Sequence, residues 1–302
     1  MPDATLQTQR APQVEPAIIA SLHGEGRGLE TVDRDDAIQL MHEHGAVLFR
    51  GFKVEASDFV QFSARFCSQF LEHGAPEFRP RRSADKTVAQ AVIGNDSVSM
   101  HAEMNYSPMR PDVLWMHCTQ PATRGGDTLL ADSRQVLKNL PDATRKLFET
   151  RRVRYRHVLK SEIWKYNTKL TDRDQAVLLL NCVPNVVAMI ADDDAIQMDF
   201  ETDAIRPTGR SGELGFLNSV ENVCEYADRV QTSVSFADGE PISAAVLADI
   251  GKAALAAATP IKWQPADVVI IDNSRLLHGR TSFEGDARVL DVRFGMLAQV
   301  AS

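Results

Sequence analysis

The chain has 302 residues, 44% of them hydrophobic, which is enough to bury a substantial core in one large domain or two ordinary ones. Its 33 basic residues against 41 acidic ones give a net charge of −8, which argues against nonspecific binding to nucleic acid. No apolar run reaches membrane-spanning length, and the N-terminus lacks the charged-then-apolar layout of a secretion signal. A soluble cytoplasmic protein is therefore expected. Cys67, Cys118, Cys182 and Cys224 are widely spaced in apolar surroundings, without a C-x-x-C pair. They read as reduced, mostly structural thiols, which excludes a zinc ribbon or a disulfide scaffold.

Residues 1–15 are polar, contain proline and show no periodicity, which predicts a mobile tail. From Asp33 to Gly45 an acidic start, helical apolar spacing and a terminal glycine predict a helix, followed at once by a strand from Ala46 to Phe52. A second amphipathic helix is predicted over 56–71. Short β-type runs then dominate, at 88–93, 113–119, 128–131, 153–158, 233–236, 268–272 and 288–297. Helical patterns interrupt them at 133–140, 141–150 and the alanine-rich 242–258. Many short strands with a few helices, and no regular strand-helix alternation, argue for a β-sandwich or barrel with flanking helices. Residues 160–215 have weaker periodicity and much polar content. They are the expected lid insert over an open barrel mouth, in a single domain spanning 16–302.

The chemistry-bearing candidates are far apart in sequence. His101 and Glu103 lie two apart, so on an extended segment both side chains point the same way and can share one ion. His278 follows the buried run from Val268 to Ile271 and a polar turn, which predicts its ring at the end of a strand. Two imidazoles and one carboxylate form the ligand set of open-sided Fe(II) sites, which leave positions for a bidentate cosubstrate and for dioxygen. His23 and Glu25 repeat the His-x-Glu spacing by chance, among glycines with no strand to fix them.

Three longer segments carry a resemblance. They are Met100 to Pro108, Gly125 to Arg134, and Trp263 to Asn273 with His278, Gly279, Arg280 and the run Ala287 to Leu290. In that order they resemble the taurine dioxygenase (TauD/TfdA) family of Fe(II)/2-oxoglutarate-dependent oxygenases, and within it the branch of syringomycin-type aspartyl hydroxylases. The resemblance spans about Ala46 to Leu297. It implies a double-stranded β-helix, or jelly roll, with His101, Glu103 and His278 as the catalytic metal ligands. It also implies that Thr128 and Arg288 bind the 2-oxoglutarate carboxylate. An arginine suits that task because its planar fork meets a carboxylate with two parallel charge-assisted bonds. Fe(II), 2-oxoglutarate and O2 are the implied cofactor and cosubstrates, with succinate and CO2 released.

Two departures from the taurine enzymes bear on substrate. The acidic ligand is Glu rather than Asp, as in the aspartyl-hydroxylase branch. Arg293 lies five residues beyond Arg288 instead of four, so a sulfonate substrate is disfavoured. Related halogenases lack the acidic ligand, so Glu103 implies hydroxylation over halogenation. Arg288 and Arg293, an odd number apart, fall on opposite faces of a regular strand, and Arg288 is expected to face inward.

Other residues have ordinary readings beside functional ones. Asn95 and Tyr106 flank the metal motif as candidate substrate contacts, against the alternatives of a turn asparagine and a packed tyrosine. Arg152, Arg154 and Arg156 form a basic stripe that is ordinarily just solvated; for a substrate presented on an acidic carrier protein, this stripe or Arg79, Arg81, Arg82 and Lys86 would dock it. His42 and His44 read as helix-terminal caps. The expected function is hydroxylation of an amino acid or amino-acid-derived group, free or carrier-bound, in specialised metabolism such as antibiotic biosynthesis. The same iron chemistry giving desaturation or rearrangement is the near alternative. A zinc hydrolase and a non-catalytic, metal-stabilised binding module are the alternatives from other classes. A small-molecule substrate and homo-oligomerisation are compatible with either outcome, with no nucleic-acid or membrane partner.

Overall fold

Asp33 starts the helix Arg34–His44 by accepting the N–H groups of Asp35 and Asp36, and Gly45 ends it in the left-handed conformation at φ 108°. At that helix end His44 Nδ1 donates to Ala17 O at 2.6 Å, while Arg275 donates to the carbonyls of His42 and Glu43. A cation there complements the negative end of the helix dipole. These details come from a computed structural model describing residues 17–72, 85–209, 211–285 and 288–298, without the side chains of 227–230. The expected tail at 1–15 and the candidate docking residues Arg79, Arg81 and Arg82 lie outside the described residues.

Two sheets form the frame. The larger runs in the order Ile19–His23, Ala46–Arg50, Val268–Asp272, Val113–Gln120, Val289–Leu297 and Cys67–Phe70, with Ala89–Gln90 also pairing on Val289–Leu297. All its pairings are antiparallel except that of Ile19–His23 with Ala46–Arg50. The smaller sheet runs Ala258–Ile261, Thr128–Asp132, Leu276–Arg280 and Val98–His101, all antiparallel. This is the double-stranded β-helix architecture, mainly β with flanking helices.

Strand alternation decides what each face meets. In the larger sheet Val47, Phe49, Val113, Trp115, Val268 and Ile270 pack outward beneath the helices Arg34–His44 and Ala56–Ala64. Their alternates, including Leu48, Leu114, Met116, Val269 and Ile271, pack inward against Leu130 and Leu276 of the smaller sheet. Because both faces are covered, Val268–Asp272 is a continuous apolar run rather than an alternating one. On the outer face Phe62 and Phe66 meet Trp115 edge-on with ring centroids 5.6 and 4.9 Å away, and each other at 5.1 Å. Each fully buried ring of this kind contributes on the order of 2–3 kcal/mol.

The second helix stops at Ala64 instead of reaching Leu71, because Cys67–Phe70 is taken as an edge strand by Val289–Leu297. Tertiary pairing overrides the local helical spacing there. Residues 160–215 hold more regular structure than their sequence suggests: helices Ser161–Thr168 and Arg173–Asn181, strands Val186–Ile190 and Ile196–Thr202, and the hairpin of Ile205–Pro207 with Leu214–Phe216. Val186–Ile190 and Ile196–Thr202 join Val153–Leu159 and Thr232–Phe236 in a separate sheet. Its apolar side shares a core with Met100, Ala102, Ala131 and Leu277, the residues of the smaller sheet that point away from the sandwich interior.

All four cysteines are free, but only Cys67 and Cys118 are buried; Cys182 and Cys224 are exposed, at helix positions whose apolar neighbours pack elsewhere. No helix among the described residues is long and apolar enough to cross a membrane.

Candidate metal centre

His101 ends the strand Val98–His101, and His278 sits at the centre of Leu276–Arg280, not at its end. The polar turn Asn273–Arg275 closes earlier than the sequence suggested and leaves two residues of strand before the histidine. The two histidines are direct cross-strand partners, which brings their rings to 4.3 Å between centroids. Odd and even positions separate cleanly: Met100 and Leu277 face the outer core, whereas His101, His278 and Thr128 face the interior. Gly279 permits the close pairing, since a Cβ there would lie 2.7 Å from Met100 Sδ and 2.8 Å from Val98 O.

Glu103 follows in a turn, with its Oε2 3.9 Å from His101 Nε2 and 3.5 Å from His278 Nε2. All three residues are buried, at 5%, 3% and 7% exposure for His101, Glu103 and His278, and their ligand atoms lie within 4.8 Å of one another. His101 Nδ1 must donate to Ser99 O at 2.8 Å, because a carbonyl only accepts, so the Nε2 lone pair is left for a metal. Asn273 fixes the backbone of the acidic ligand. Its Oδ1 accepts from Glu103 N–H at 2.7 Å, and its Nδ2 donates to Glu103 O at 3.0 Å and Pro111 O at 2.8 Å. Two imidazole nitrogens and one carboxylate oxygen, with the His101 ring held by Ser99, fit a divalent iron with one side open.

The open side leads to an anion seat. Thr128 Oγ1 accepts from Trp263 Nε1 at 3.0 Å and from Arg288 Nη2 at 3.0 Å, both groups that can only donate. With both lone pairs engaged, the hydroxyl proton is free to be donated into the cavity. Arg288 also donates to Gly126 O at 2.7 Å. Gly126 is at φ 72°, and a Cβ there would lie 3.0 Å from Arg288 Cδ, so glycine leaves room for the guanidinium. No carboxylate pairs with Arg288 among the described residues. Burial, with the neighbouring Arg280 charge, pushes its guanidinium down to about 10. A buried cation held by neutral acceptors alone is a receptor for an anion that arrives from outside. Leu290, Val292, Phe294 and Met116 supply the apolar wall of the same cavity.

The remaining candidates separate. Arg293 turns to the opposite face, where it bonds Thr87, Ser63, Val60 O and Asp85, the last at 3.2 Å, and covers Phe70. It does not line the cavity, for the parity reason that put Arg288 inside. Asn95 is exposed in a bend, its carbonyl accepting from Phe283 N–H. Tyr106 packs against the outer core, and its carbonyl accepts from His157 Nε2 at 2.8 Å. Neither lines the metal cavity. Contrary to the expectation that no strand would fix it, His23 ends the strand Ile19–His23, but it and Glu25 are both exposed and outside the cluster. The stripe of Arg152, Arg154 and Arg156 is neutralised within its own sheet by Glu201 and Asp199, with Asp203 beside Arg152. It therefore offers no free cationic face for a carrier.

Asn273, Trp263 and Arg280 take part without having been singled out from sequence. Arg280 lines the cavity and donates to the carbonyls of Val92 and Asp96. Its signal was strand spacing, two residues from His278 and so on the same face. A larger depression of about 940 Å³, lined by Arg156, Lys160 and Asp192–Asp194 among others, shares no residue with this cavity. Within it Asp194 pairs with Lys165 and Arg173, so volume does not locate the chemistry.

A double-stranded β-helix presenting two histidines and a carboxylate beside a buried arginine defines the Fe(II)/2-oxoglutarate-dependent dioxygenases. Residues 15–293 match the family described as taurine catabolism dioxygenase TauD, TfdA family, and the chain belongs to it. It is 27% identical over 276 residues to a clavaminate synthase-like protein of Arabidopsis thaliana, covering 83% of this chain and 82% of that one. It is 23% identical over 275 residues to the dapdiamide synthesis protein DdaC of Enterobacter agglomerans, with the same coverage of 83% and 82%. In structure it is similar to PvcB of Pseudomonas aeruginosa, with TM-score 0.60 at 16% identity over 98% of this chain and 95% of that one. It is also similar to a 2,4-D dioxygenase-like protein of Burkholderia xenovorans described as alpha-ketoglutarate dependent, with TM-score 0.58 at 18% identity over 95% and 96%.

Proposed function

We propose that this oxygenase hydroxylates an unactivated C–H bond of an amino acid or amino-acid-derived substrate, consuming 2-oxoglutarate and O2 and releasing succinate and CO2. The observation that carries the reading is the juxtaposition of Glu103, kept between His101 and His278, with the Thr128–Arg288 anion seat in one cavity. Bound at the three ligands, the iron supplies the oxidising chemistry. The chain supplies the rest. Arg288 and the Thr128 hydroxyl hold the distal carboxylate of 2-oxoglutarate, and Trp263 fixes the direction of that hydroxyl. Asn273 keeps Glu103 in place, and the apolar wall of Leu290, Val292 and Phe294 excludes water from the reacting end. Glu103, the carboxylate that halogenating relatives lack, is retained beside His101 and His278, which supports hydroxylation. The names of DdaC, a dapdiamide synthesis protein, and PvcB, from an isonitrile synthetic pathway, support a role in specialised metabolism.

The test is anaerobic addition of Fe(II) and 2-oxoglutarate, watching for the visible metal-to-ligand charge-transfer band. Then 2-oxoglutarate consumption is screened against free amino acids and their carrier-bound thioesters. A band that weakens in Arg288→Ala, with consumption stimulated by one amino acid, supports the reading. No band, or hydrolysis that proceeds with zinc and without O2, overturns it.

A further inference from the structure

Beyond Glu103 the chain crosses from the smaller to the larger sheet, and Asn105 is wholly buried on that crossing. Its Oδ1 accepts from two arginines at once: from Arg110 Nη1 at 3.2 Å, and from Arg206 Nη2. Arg206 comes from the hairpin strand Ile205–Pro207 and also donates to the carbonyls of Asp203 at 3.0 Å and Leu217 at 3.2 Å. Neither guanidinium meets a carboxylate, among the described residues. The hairpin's Asp203 turns its side chain to Arg152 at 3.6 Å and gives Arg206 only its main-chain carbonyl. Tyr155, packed nearby, is pushed up to about 12 by burial and so contributes no negative charge near neutral pH.

This arrangement is costly as it stands. Burial and the Arg110 charge together push Arg206 down to about 9, and burial lowers Arg110 as well. Elsewhere the chain pairs its part-buried arginines with acids: Arg50 with Asp267, Arg134 and Arg275 with Asp132, Arg156 with Asp199. Arg280 and Arg288, at the cosubstrate end of the cavity, share with Arg110 and Arg206 the lack of a carboxylate partner among the described residues. Two like charges sharing one neutral acceptor, each half-buried and so still reachable from solvent, are what an anion receptor looks like before its ligand arrives.

We infer that Arg110 and Arg206 form a second anion seat, beside the ligand turn that carries Glu103, and that it binds a free carboxylate of the substrate. A carboxylate suits two guanidinium forks approaching from one side. The inference rests on the oxygenase reading for the position of the substrate, and it sharpens it: the carboxyl held here is neither esterified nor tied up as a thioester.

Acetate is the minimal probe. The protein is loaded with Fe(II) and saturating 2-oxoglutarate without O2, which fills the Arg288 seat, and thermal unfolding is followed in sodium acetate or sodium chloride at matched ionic strength. Acetate is expected to raise the melting temperature saturably and above the chloride effect. Arg110→Met, which loses one long hydrogen bond, is expected to raise the half-saturating acetate concentration by about tenfold or more. Arg110→Glu places a carboxylate beside Arg206 permanently, so its melting temperature is expected to rise without acetate and to stop responding to it. Equal acetate and chloride effects in the wild type, or an unchanged acetate response in Arg110→Met, would overturn the inference. A response to phosphate but not to acetate overturns the carboxylate class. The charge-transfer band is recorded on the same samples: its absence counts against the oxygenase reading, whereas a normal band with no acetate response counts against this seat alone.

Discussion

Asn273 grips Glu103 from both sides, accepting its N–H at 2.7 Å and donating to its carbonyl at 3.0 Å. Glu103, the candidate metal ligand that lies outside a strand, is thereby tied to the turn preceding the strand of His278. The carboxamide supplies both a donor and an acceptor, which neither aspartate nor leucine can do.

Asn273→Ala is therefore expected to weaken Fe(II) binding by about 10–100-fold, the usual effect of losing a group that orients a ligand. It should also cost about 2 kcal/mol of stability through the buried groups left unpaired. Asn273→Asp sets an acceptor against two carbonyls and should be no better than alanine. Competition with a coloured chelator, read beside a denaturant melt, checks both; metal affinity equal to wild type in either variant contradicts the orienting role.

At the cosubstrate end the prediction is a ranking. Arg288→Ala should lose the most 2-oxoglutarate affinity. Arg288→Lys should still lose on the order of tenfold, because a lysine cannot reach Gly126 O and Thr128 Oγ1 with a planar fork. Trp263→Phe keeps the ring and removes one donor to Thr128, so a loss of about fivefold is expected. Titration of the charge-transfer band gives all three, and Trp263→Phe equal to wild type would show that the hydroxyl is oriented by something else.

His157 joins the Val153–Leu159 sheet to the ligand turn, with Nε2 donating to Tyr106 O at 2.8 Å and Nδ1 facing Thr232 Oγ1 at 2.9 Å. Burial holds it below its ordinary value of 6.5, so the folded state binds its proton less readily than the unfolded chain. Its contribution to stability is thus complete above 6.5 and falls as the pH drops from there toward the folded value, by at most about 1.4 kcal/mol per pH unit. His157→Gln, with no proton to take up, should flatten the stability profile in that window. An unchanged slope in denaturant melts between pH 7 and 5 would assign the acid sensitivity to another group.

How much was readable beforehand differs by element. Residues 268–272 read as a strand because both faces of that strand are buried, and 34–44 read as a helix because Asp33 and Gly45 mark its ends in local chemistry. The helix expected to reach Leu71 failed where only a distant partner, Val289–Leu297, makes Cys67–Phe70 a strand. His101 and Glu103 were legible as a chelating pair by spacing. Their rival pair His23 and Glu25 has the same spacing, and the surrounding motifs, burial and the third ligand His278 separate the two.

By itself, then, the sequence determined what nearest neighbours along the chain decide: caps, alternation, that Arg288 and Arg293 face opposite ways, and the order of motifs that marks the family. Tertiary structure decided everything that depends on which strands become neighbours. The register that sets His278 opposite His101, the donors that saturate Thr128, the acids that neutralise Arg154 and Arg156, and the lack of an ion-pair partner for Arg110 and Arg206 among the described residues are of that kind. A charge's significance lies in its partner, and partners far away along the chain are chosen by packing, which no local pattern encodes.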